Sequence, residues 1–180
     1  MAKRNCLGSK RKSAKVKLEN KMLYNIEQVK MYLPHRNPFL FVDSVESVTI
    51  DKEIPENGTM KDLMGCKVVC HYKTKKDHPI FEGHFPGNPI LPGVVQVEMM
   101  AQASAFGVHL LKGDLTKIKL DVKLLGVQSA KFRKPIYPEM DLIIRMECLK
   151  VRGPMMTNRG QIFHGDVLMS ECETLAALTV

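Results

Sequence analysis

Apolar and polar residues alternate along several stretches of this chain with the period of two that β-strands require. The clearest case is residues 66–73, where four side chains fall on one face: Cys66, Val68, Cys70 and Tyr72. Such a strand is expected to bury one face and leave the other to solvent. The remaining predicted strands lie within residues 39–50, 119–132, 141–151 and 161–180, the last divided by a turn at His164-Gly165-Asp166.

Two predicted helices interrupt the strands. The shorter helix begins at Asn25, with Gln28 completing a helix-start signal, and it is ended by Pro34. The longer helix spans residues 93–111 and has no broad polar face, which is typical of a buried helix. The polar segments between elements are residues 51–65, predicted as a loop or an inserted turn, and residues 153–160, predicted as a turn or a ragged hairpin.

The order of these elements predicts the fold class. Consecutive strands joined by short turns favour an antiparallel sheet, and one long apolar helix indicates that the sheet wraps around it. The sequence therefore predicts an α+β fold. With 180 residues, the chain is long enough for one domain with a hydrophobic core, which we assign to residues 22–180.

The positive charge of the chain is concentrated in its first 21 residues. This segment carries +7 of the formal charge of +8, because it holds eight Lys and Arg and one acidic residue. It lacks the apolar stretch of a secretory signal, and its Lys-rich composition predicts a disordered extension. A tether to RNA, a membrane or an acidic partner is the alternative for residues 1–21. The nearly neutral domain gives no reason to expect nucleic acid as a partner, and no apolar run is long enough to span a membrane.

The cysteines indicate a reducing environment. There are five of them, an odd number, and no export signal accompanies them, so we expect a cytoplasmic protein. Cys66, Cys70 and His71 could be interpreted as metal ligands, but on a strand His71 points away from the two cysteines. We therefore interpret the cysteines as core residues and predict no metal site.

A loop rich in proline and glycine precedes the long helix and presents His84. Pro86, Pro89 and Pro92 fix three backbone φ angles, so the loop is expected to hold His84 in a defined place. A histidine titrates near neutral pH and can take a proton. The alternative is a histidine that only ties down the loop by hydrogen bonds.

Glu98 lies within the predicted buried helix, five residues after Gly93. A buried carboxylate is costly unless it is paired or neutralised, and desolvation is expected to raise its pKa, which suits a proton donor. The alternative is a Glu98 that reaches solvent or an arginine at a subunit interface. Gly93 is expected to begin the helix, where its N–H could polarise a carbonyl oxygen and stabilise the charge that forms on it.

Four segments resemble one enzyme family. They are PHRNPFLFVD at 34–43, GHFPGNPILPGV at 83–94, EMMAQ at 98–102 and KFRKPIYPEMDL at 131–142. In this combination they resemble the (3R)-hydroxyacyl-[acyl-carrier-protein] dehydratases of FabZ type, which act in type II fatty acid synthesis. The resemblance covers roughly residues 22–178. It implies a hot-dog fold, in which a curved antiparallel sheet wraps around one long central helix.

The resemblance also implies roles for site residues. His84 matches the catalytic histidine, Glu98 the catalytic carboxylate, and Gly93 the residue whose amide polarises the thioester carbonyl. In the family the histidine and the carboxylate come from different subunits of a homodimer, and a trimer of dimers is a further expectation. His84 would take the C2 proton of the 3-hydroxyacyl thioester, and Glu98 would protonate or orient the departing hydroxyl. No metal or other cofactor is implied.

Further residues are candidates for binding the substrate and its carrier. The candidates for the walls of an acyl tunnel are Phe39, Phe85, Met99 and Met100, for which a plain core role is the alternative. The candidates for docking the acidic acyl carrier protein are Lys131, Arg133 and Lys134, for which the alternative is a solvated basic turn.

Three other functions stay open at this stage. The same fold hosts acyl thioesterases and dehydratases of specialised lipid or polyene pathways. A third alternative is a non-enzymatic module that binds acyl chains. The pairing of His84 with Glu98 argues against the thioesterase and the binding module. A sister family that also isomerises the double bond carries aspartate at the position of Glu98, so the glutamate favours dehydration without isomerisation.

Overall fold

The computed structural model describes residues 22–179, so the extension predicted at residues 1–21 lies outside the described residues. Six strands form one antiparallel sheet in the order β1-β2-β4-β5-β6-β3. The strands are β1 Ser44–Thr49, β2 Lys67–Lys73, β3 Asp121–Phe132, β4 Asp141–Arg152, β5 Met155–His164 and β6 Val167–Thr179. The α-helices are α1 Ile26–Tyr32, α2 Ile80–Gly83, α3 Gly93–Ser104 and α4 His109–Lys112, and short 3-10 turns lie at Met60–Leu63, Ala105–Val108 and Leu115–Lys117.

The sheet wraps around α3, which packs against β2, β3, β4, β5 and β6, most extensively against β4. Alternate residues of β4 and β5 point toward this helix and are buried, as Ile144 and Ile162 illustrate. Met99, Met100 and Ala103 of α3 are buried completely among them. The predicted α+β fold, with a sheet around one long apolar helix, is therefore confirmed.

The two clearest local signals of the sequence are also confirmed. Asn25 caps α1: its side chain accepts hydrogen bonds from the backbone N–H groups of Glu27 and Gln28, and Gln28 accepts one from the Asn25 N–H. In β2 the side chain of Cys70 is buried, and burial raises the pKa of its thiol. His71 lies on the opposite face, where its Nε2 is 2.7 Å from a carboxylate oxygen of Glu46.

Two predicted boundaries are wrong, and the long helix has its predicted extent but changes type along its length. The strand predicted within 39–50 begins only at Ser44, because the preceding backbone bonds to a side chain of α3. The helix predicted over 93–111 is α-helical to Ser104, continues through a 3-10 turn and α4, and ends at Gly113, whose φ is +67°. Residues 153–160 are not a ragged turn: Gly153, with φ +58°, and Pro154 make the whole turn, and β5 begins at Met155.

β3 is the more exposed of the two edge strands. Its 12 residues pair with β6 alone among the described residues. Three apolar side chains on the side of the sheet that faces the helix layer stay about half exposed: Leu124 at 44%, Val127 at 46% and Phe132 at 51%. A long edge strand with an uncovered apolar face is a surface that another chain can pair with.

Two observations bear on metals and membranes. No group of three His, Cys, Asp or Glu side chains within residues 22–179 is placed to hold a metal ion. No helix in that part of the chain has the length and apolar composition needed to cross a membrane.

We predict that Gly160→Ala destabilises the fold, because Gly160 of β5 packs directly against Met100 of α3. An added Cβ would lie 2.6 Å from Met100 Sδ and 2.8 Å from Met100 Cβ, so the helix or the strand must shift. We expect the free energy of unfolding in urea to fall by about 1–3 kcal/mol. Gly83→Ala is the control, since an added Cβ there meets nothing within 4 Å. Equal stability of the two variants would contradict the packing described here.

Candidate active site

His84 follows α2 in a loop that its own backbone holds closed. The N–H of Ile90 donates to the carbonyl of His84 at 2.8 Å, and Phe85 and Asn88 exchange backbone hydrogen bonds in both directions. The Nδ1 of His84 lies 2.8 Å from the carbonyl oxygen of Ile90. A carbonyl only accepts, so Nδ1 carries the hydrogen and Nε2 keeps its lone pair. The histidine thus ties down the loop through one nitrogen and leaves the other able to accept a proton.

Gly93 begins α3, next to this loop. Its predecessor Pro92 has no side chain that could cap the helix, so the first N–H groups of α3 are not satisfied by a cap. The ring of Phe132 packs directly on Gly93, because a Cβ built there would be 2.7 Å from Cζ of that ring. Any larger residue at this position would displace the Phe132 ring, and glycine leaves the start of α3 open to the cavity beside it.

His84 and Gly93 line the same cavity of about 260 Å³, together with Gln96, Phe132, Arg133 and Lys134. We call it the His84 pocket. Gln96 is buried in its floor, and its amide nitrogen donates to the carbonyl of Leu91 at 3.1 Å. Its Oε1 has no hydrogen-bond partner among residues 22–179.

Glu98 lies in a separate group of polar side chains with His35 and Gln102, which we call the Glu98 cluster. Glu98 Oε1 is 3.2 Å from His35 Nε2 and 2.9 Å from Gln102 Nε2. Gln102 also donates to the carbonyl of Phe39 and accepts from the N–H of Phe41, each at 2.9 Å. One amide therefore joins Glu98 to the loop between α1 and β1.

The pKa expected for Glu98 was wrong in direction. Burial alone raises the pKa of a carboxyl, but the His35 imidazole, whose Nε2 is 3.2 Å from Glu98 Oε1, outweighs it, and the amide of Gln102 adds to the effect of His35. The pKa of Glu98 is consequently held below its usual value. The carboxyl is therefore ionised at neutral pH, and its Oε1 is bound within its own chain, without an arginine.

One chain does not bring His84 and Glu98 together. With roughly 3.6 residues per helical turn, the five residues from Gly93 to Glu98 correspond to a rotation of about 140°. Glu98 therefore faces away from the helix side that carries Gly93, and it does not line the His84 pocket. The Glu98 cluster and the His84 pocket lie on different sides of α3.

The other candidate residues divide between these two places. Phe85 stacks on His84 with ring centroids 4.0 Å apart, and Phe39 lies beside the Glu98 cluster; both rings are half exposed. Met99 and Met100 are fully buried. All three candidate docking residues are exposed: Arg133 and Lys134 line the His84 pocket, Lys131 does not, and Arg133 forms an ion pair with Glu171.

The sequence interpretation missed the roles of His35, Gln96 and Gln102. Gln102 could have been found, because it lies four residues after Glu98 and thus on the same helix face. Gln96 stands out in the sequence as a polar residue in a buried helix, but that pattern alone assigns it no role. His35 carried no such signal, since its contact with Glu98 depends on how the loop after α1 packs on α3.

A long central helix inside a six-stranded antiparallel sheet is the hot-dog fold, and the two polar groups beside that helix make this chain a candidate enzyme of that fold. Solved structures agree on the fold alone. The dehydratase heterocomplex ApeI:P from Xenorhabdus doucetiae superposes with a TM-score of 0.59 at 20% identity, covering 84% of this chain and 91% of that one. A mutant of the fluoroacetyl-CoA-specific thioesterase FlK superposes with a TM-score of 0.51 at 11% identity, covering 64% of this chain and 87% of that one.

Sequence comparison identifies the family. The FabA-like domain matches residues 33–173, and the chain belongs to this family. The 3-hydroxyacyl-[acyl-carrier-protein] dehydratase FabZ of Syntrophobacter fumaroxidans is 33% identical over 86% of this chain and 93% of its own. The enzyme of that name from Erythrobacter litoralis is 37% identical over 86% of this chain and 93% of its own. The enzyme from Enterococcus faecalis is 40% identical over 77% of this chain and 86% of its own.

We predict that Gln102→Leu destabilises the protein, because it removes an amide with three hydrogen bonds. It leaves the N–H of Phe41 and the carbonyl of Phe39 without that partner, and Glu98 loses a donor. The expected loss in the free energy of unfolding is about 1–3 kcal/mol, measured in urea. Gln161→Leu, on the outer face of β5, is the control and is expected to change stability little. If both variants unfold at the same urea concentration, Gln102 does not anchor the loop.

Proposed function

We infer that the protein removes water from a (3R)-3-hydroxyacyl-[acyl-carrier-protein] to give the trans-2-enoyl thioester. The reaction is that of a hydro-lyase in fatty acid biosynthesis, and it is named in the FabZ relatives that share a third or more of their residues with this chain. The observation that carries the inference is His84, whose Nδ1–H is bound to a carbonyl while Nε2 is left as a base, beside the start of α3.

The chemistry divides among three groups. A thioester carbonyl at the Gly93 N–H is polarised by the helix start, which stabilises the enolate-like charge formed when the C2 proton leaves. His84 Nε2 takes that proton. The ionised carboxylate of Glu98 accepts a hydrogen bond from the 3-hydroxyl and orients it. As the C3–O bond breaks and the C2=C3 double bond forms, the proton that His84 took from C2 passes to the departing oxygen, directly or through the Glu98 carboxyl, and the oxygen leaves as water. No cofactor enters these steps.

A homodimer with shared active sites supplies what a single chain lacks. Glu98 faces away from the His84 pocket, so Glu98 of a second copy is needed to complete the site. The exposed apolar side chains of β3, Leu124 and Val127, together with its free edge, offer the surface on which that copy can pair. A trimer of such dimers stays a prediction.

The acyl carrier protein is the proposed partner that delivers the substrate. Arg133 and Lys134 line the His84 pocket, and Lys131 is exposed nearby in sequence, so positive charge surrounds the entrance that a thioester arm would use. Such charge would steer an acidic carrier toward the pocket. In this proposal the half-exposed Phe39 and Phe85 line the acyl tunnel, whereas Met99 and Met100, which are fully buried in the single chain, take the core role that was their alternative. We place the reaction in the cytoplasm, where reduced cysteines and a carrier-bound substrate are compatible.

We predict that the purified protein converts (3R)-3-hydroxybutanoyl-carrier protein to the enoyl product. His84→Ala removes the base and Glu98→Gln the carboxylate, and each is expected to lower kcat/KM by at least about a hundredfold. Product is followed by mass spectrometry of the carrier. Activity that survives Glu98→Gln would exclude the assigned role of this carboxylate.

Other outcomes of the same assay separate the alternatives. Release of free thiol without an enoyl product would identify a thioesterase. Turnover of only long or functionalised 3-hydroxyacyl chains would indicate a specialised lipid or polyene pathway. The absence of either product on several chain lengths would favour an acyl-binding module without catalysis.

A complementation experiment tests the shared site. In a dimer of one His84→Ala chain and one Glu98→Gln chain, one site carries both changes and the other carries neither. Co-expressed chains with different tags, purified through both tags, are therefore expected to regain about half of the wild-type activity. Each variant purified alone is the control. Continued inactivity of the mixed dimer would mean that both groups act from the same chain.

A further inference from the structure

His35 is the first residue after Pro34, in the loop that links α1 to β1, and this loop is fixed by three side chains. Arg36 donates to the carbonyls of Leu33 and His35, at 2.9 and 2.7 Å. His78 binds the carbonyl of Pro38 at 2.9 Å, and Gln102 binds the backbone on either side of Leu40. The loop is therefore held against α3 without any bond from the His35 ring.

The polar atoms of the His35 ring have one partner within residues 22–179. Nε2 faces Glu98 Oε1 at 3.2 Å, and Nδ1 is buried without a hydrogen bond. A buried ring nitrogen without a partner is unfavourable, and a residue that served packing alone could be replaced by an apolar one of similar size. The arrangement is therefore better explained by what His35 does to Glu98.

The surroundings of Glu98 make His35 its principal electrostatic neighbour. From α3 itself Glu98 meets the uncharged amide of Gln102, and from the loop after α1 it meets His35. No other charged side chain in the described part of the chain contributes to the pKa of Glu98. The guanidinium of Arg36, the neighbouring basic group, is bound to backbone carbonyls.

We propose that His35 is a positioning residue of the dehydratase, which donates its Nε2–H to Glu98 Oε1 and so turns the other carboxylate oxygen toward the 3-hydroxyl of the substrate. The proposal rests on the proposed function. His35 does not touch the substrate; it fixes one oxygen of the group that does. Without it, Gln102 would be the one remaining side-chain donor to Glu98 among residues 22–179.

Loss of this donor changes the pKa of Glu98 in a definite direction. The contact with His35 favours the ionised carboxyl, so its removal leaves burial to dominate and the pKa of Glu98 rises. The carboxylate is then protonated at a higher pH than in the wild type. The pH dependence of turnover reports every ionisable group that takes part in the reaction, so a direct titration of Glu98 is needed.

The test uses three full-length variants. His35→Leu removes the donor, and His35→Gln keeps an N–H that can reach Glu98. His71→Leu breaks a second histidine–glutamate pair, 2.7 Å long and on the outer face of β2, and serves as the control. Glu98 is titrated by carbon NMR of protein labelled in the glutamate carboxyls, with Glu98→Gln to assign the signal. Turnover and the melting temperature are measured alongside.

We expect His35→Leu to raise the pKa of Glu98 and to lower kcat by about ten- to a hundredfold, with a smaller change in KM. His35→Gln is expected to recover kcat to within about threefold of the wild type, since the hydrogen bond is kept. His71→Leu is expected to leave both quantities unchanged. A structural role would lower the melting temperature without moving the titration of Glu98.

The proposal is overturned if the titration of Glu98 does not move in His35→Leu, or if kcat is unaffected in a wild type that is active. Should His35→Leu fail to fold, His35→Asn replaces it, since its amide is too short to reach Glu98. A wild type without any turnover would count against the proposed function instead, and the NMR titration would still decide whether His35 controls Glu98.

Discussion

Burial of α3 is the constraint on which the remaining structure depends. A helix that is apolar on nearly every side must be covered on nearly every side, and the inner faces of five strands cover most of it. The loop between α1 and β1 covers another part, held there by the amide of Gln102. Polar side chains on such a helix need hydrogen-bond partners. Gln102 and Glu98 have them in the loop after α1 and in each other, whereas Gln96 Oε1 has none among residues 22–179.

The same constraint explains how far the sequence could be interpreted alone. The sheet, the central helix, the cap at Asn25 and the core face of β2 depend on local periodicity and were predicted correctly. The candidate residues His84 and Gly93 were recognisable because a rigid loop and a helix start are local features. The turn at Gly153 was predicted too long, because the segment that begins with Met155 and Met156 becomes a strand only by pairing with β4 and β6.

Contacts between distant segments were the part that the sequence could not supply. His35 and Glu98 are far apart along the chain, and no spacing relates them. The sign of the Glu98 pKa shift illustrates the difference: the apolar composition around α3 predicts a raised pKa through desolvation, whereas the contact with His35 and the hydrogen bond from Gln102 lower it. Helix geometry likewise separates Glu98 from the His84 pocket only once the residues that line this pocket are known.

The placement of His84 and Glu98 on different sides of α3 has an evolutionary consequence if the shared site is correct. Each chain then contributes its histidine to one site and its carboxylate to the other, so a duplicated gene pair would be under divided selection. One copy could lose the histidine and the other the glutamate, and their mixed dimer would still retain one complete site. A single helix with two functional faces thus gives this architecture a simple route to obligate heterodimers.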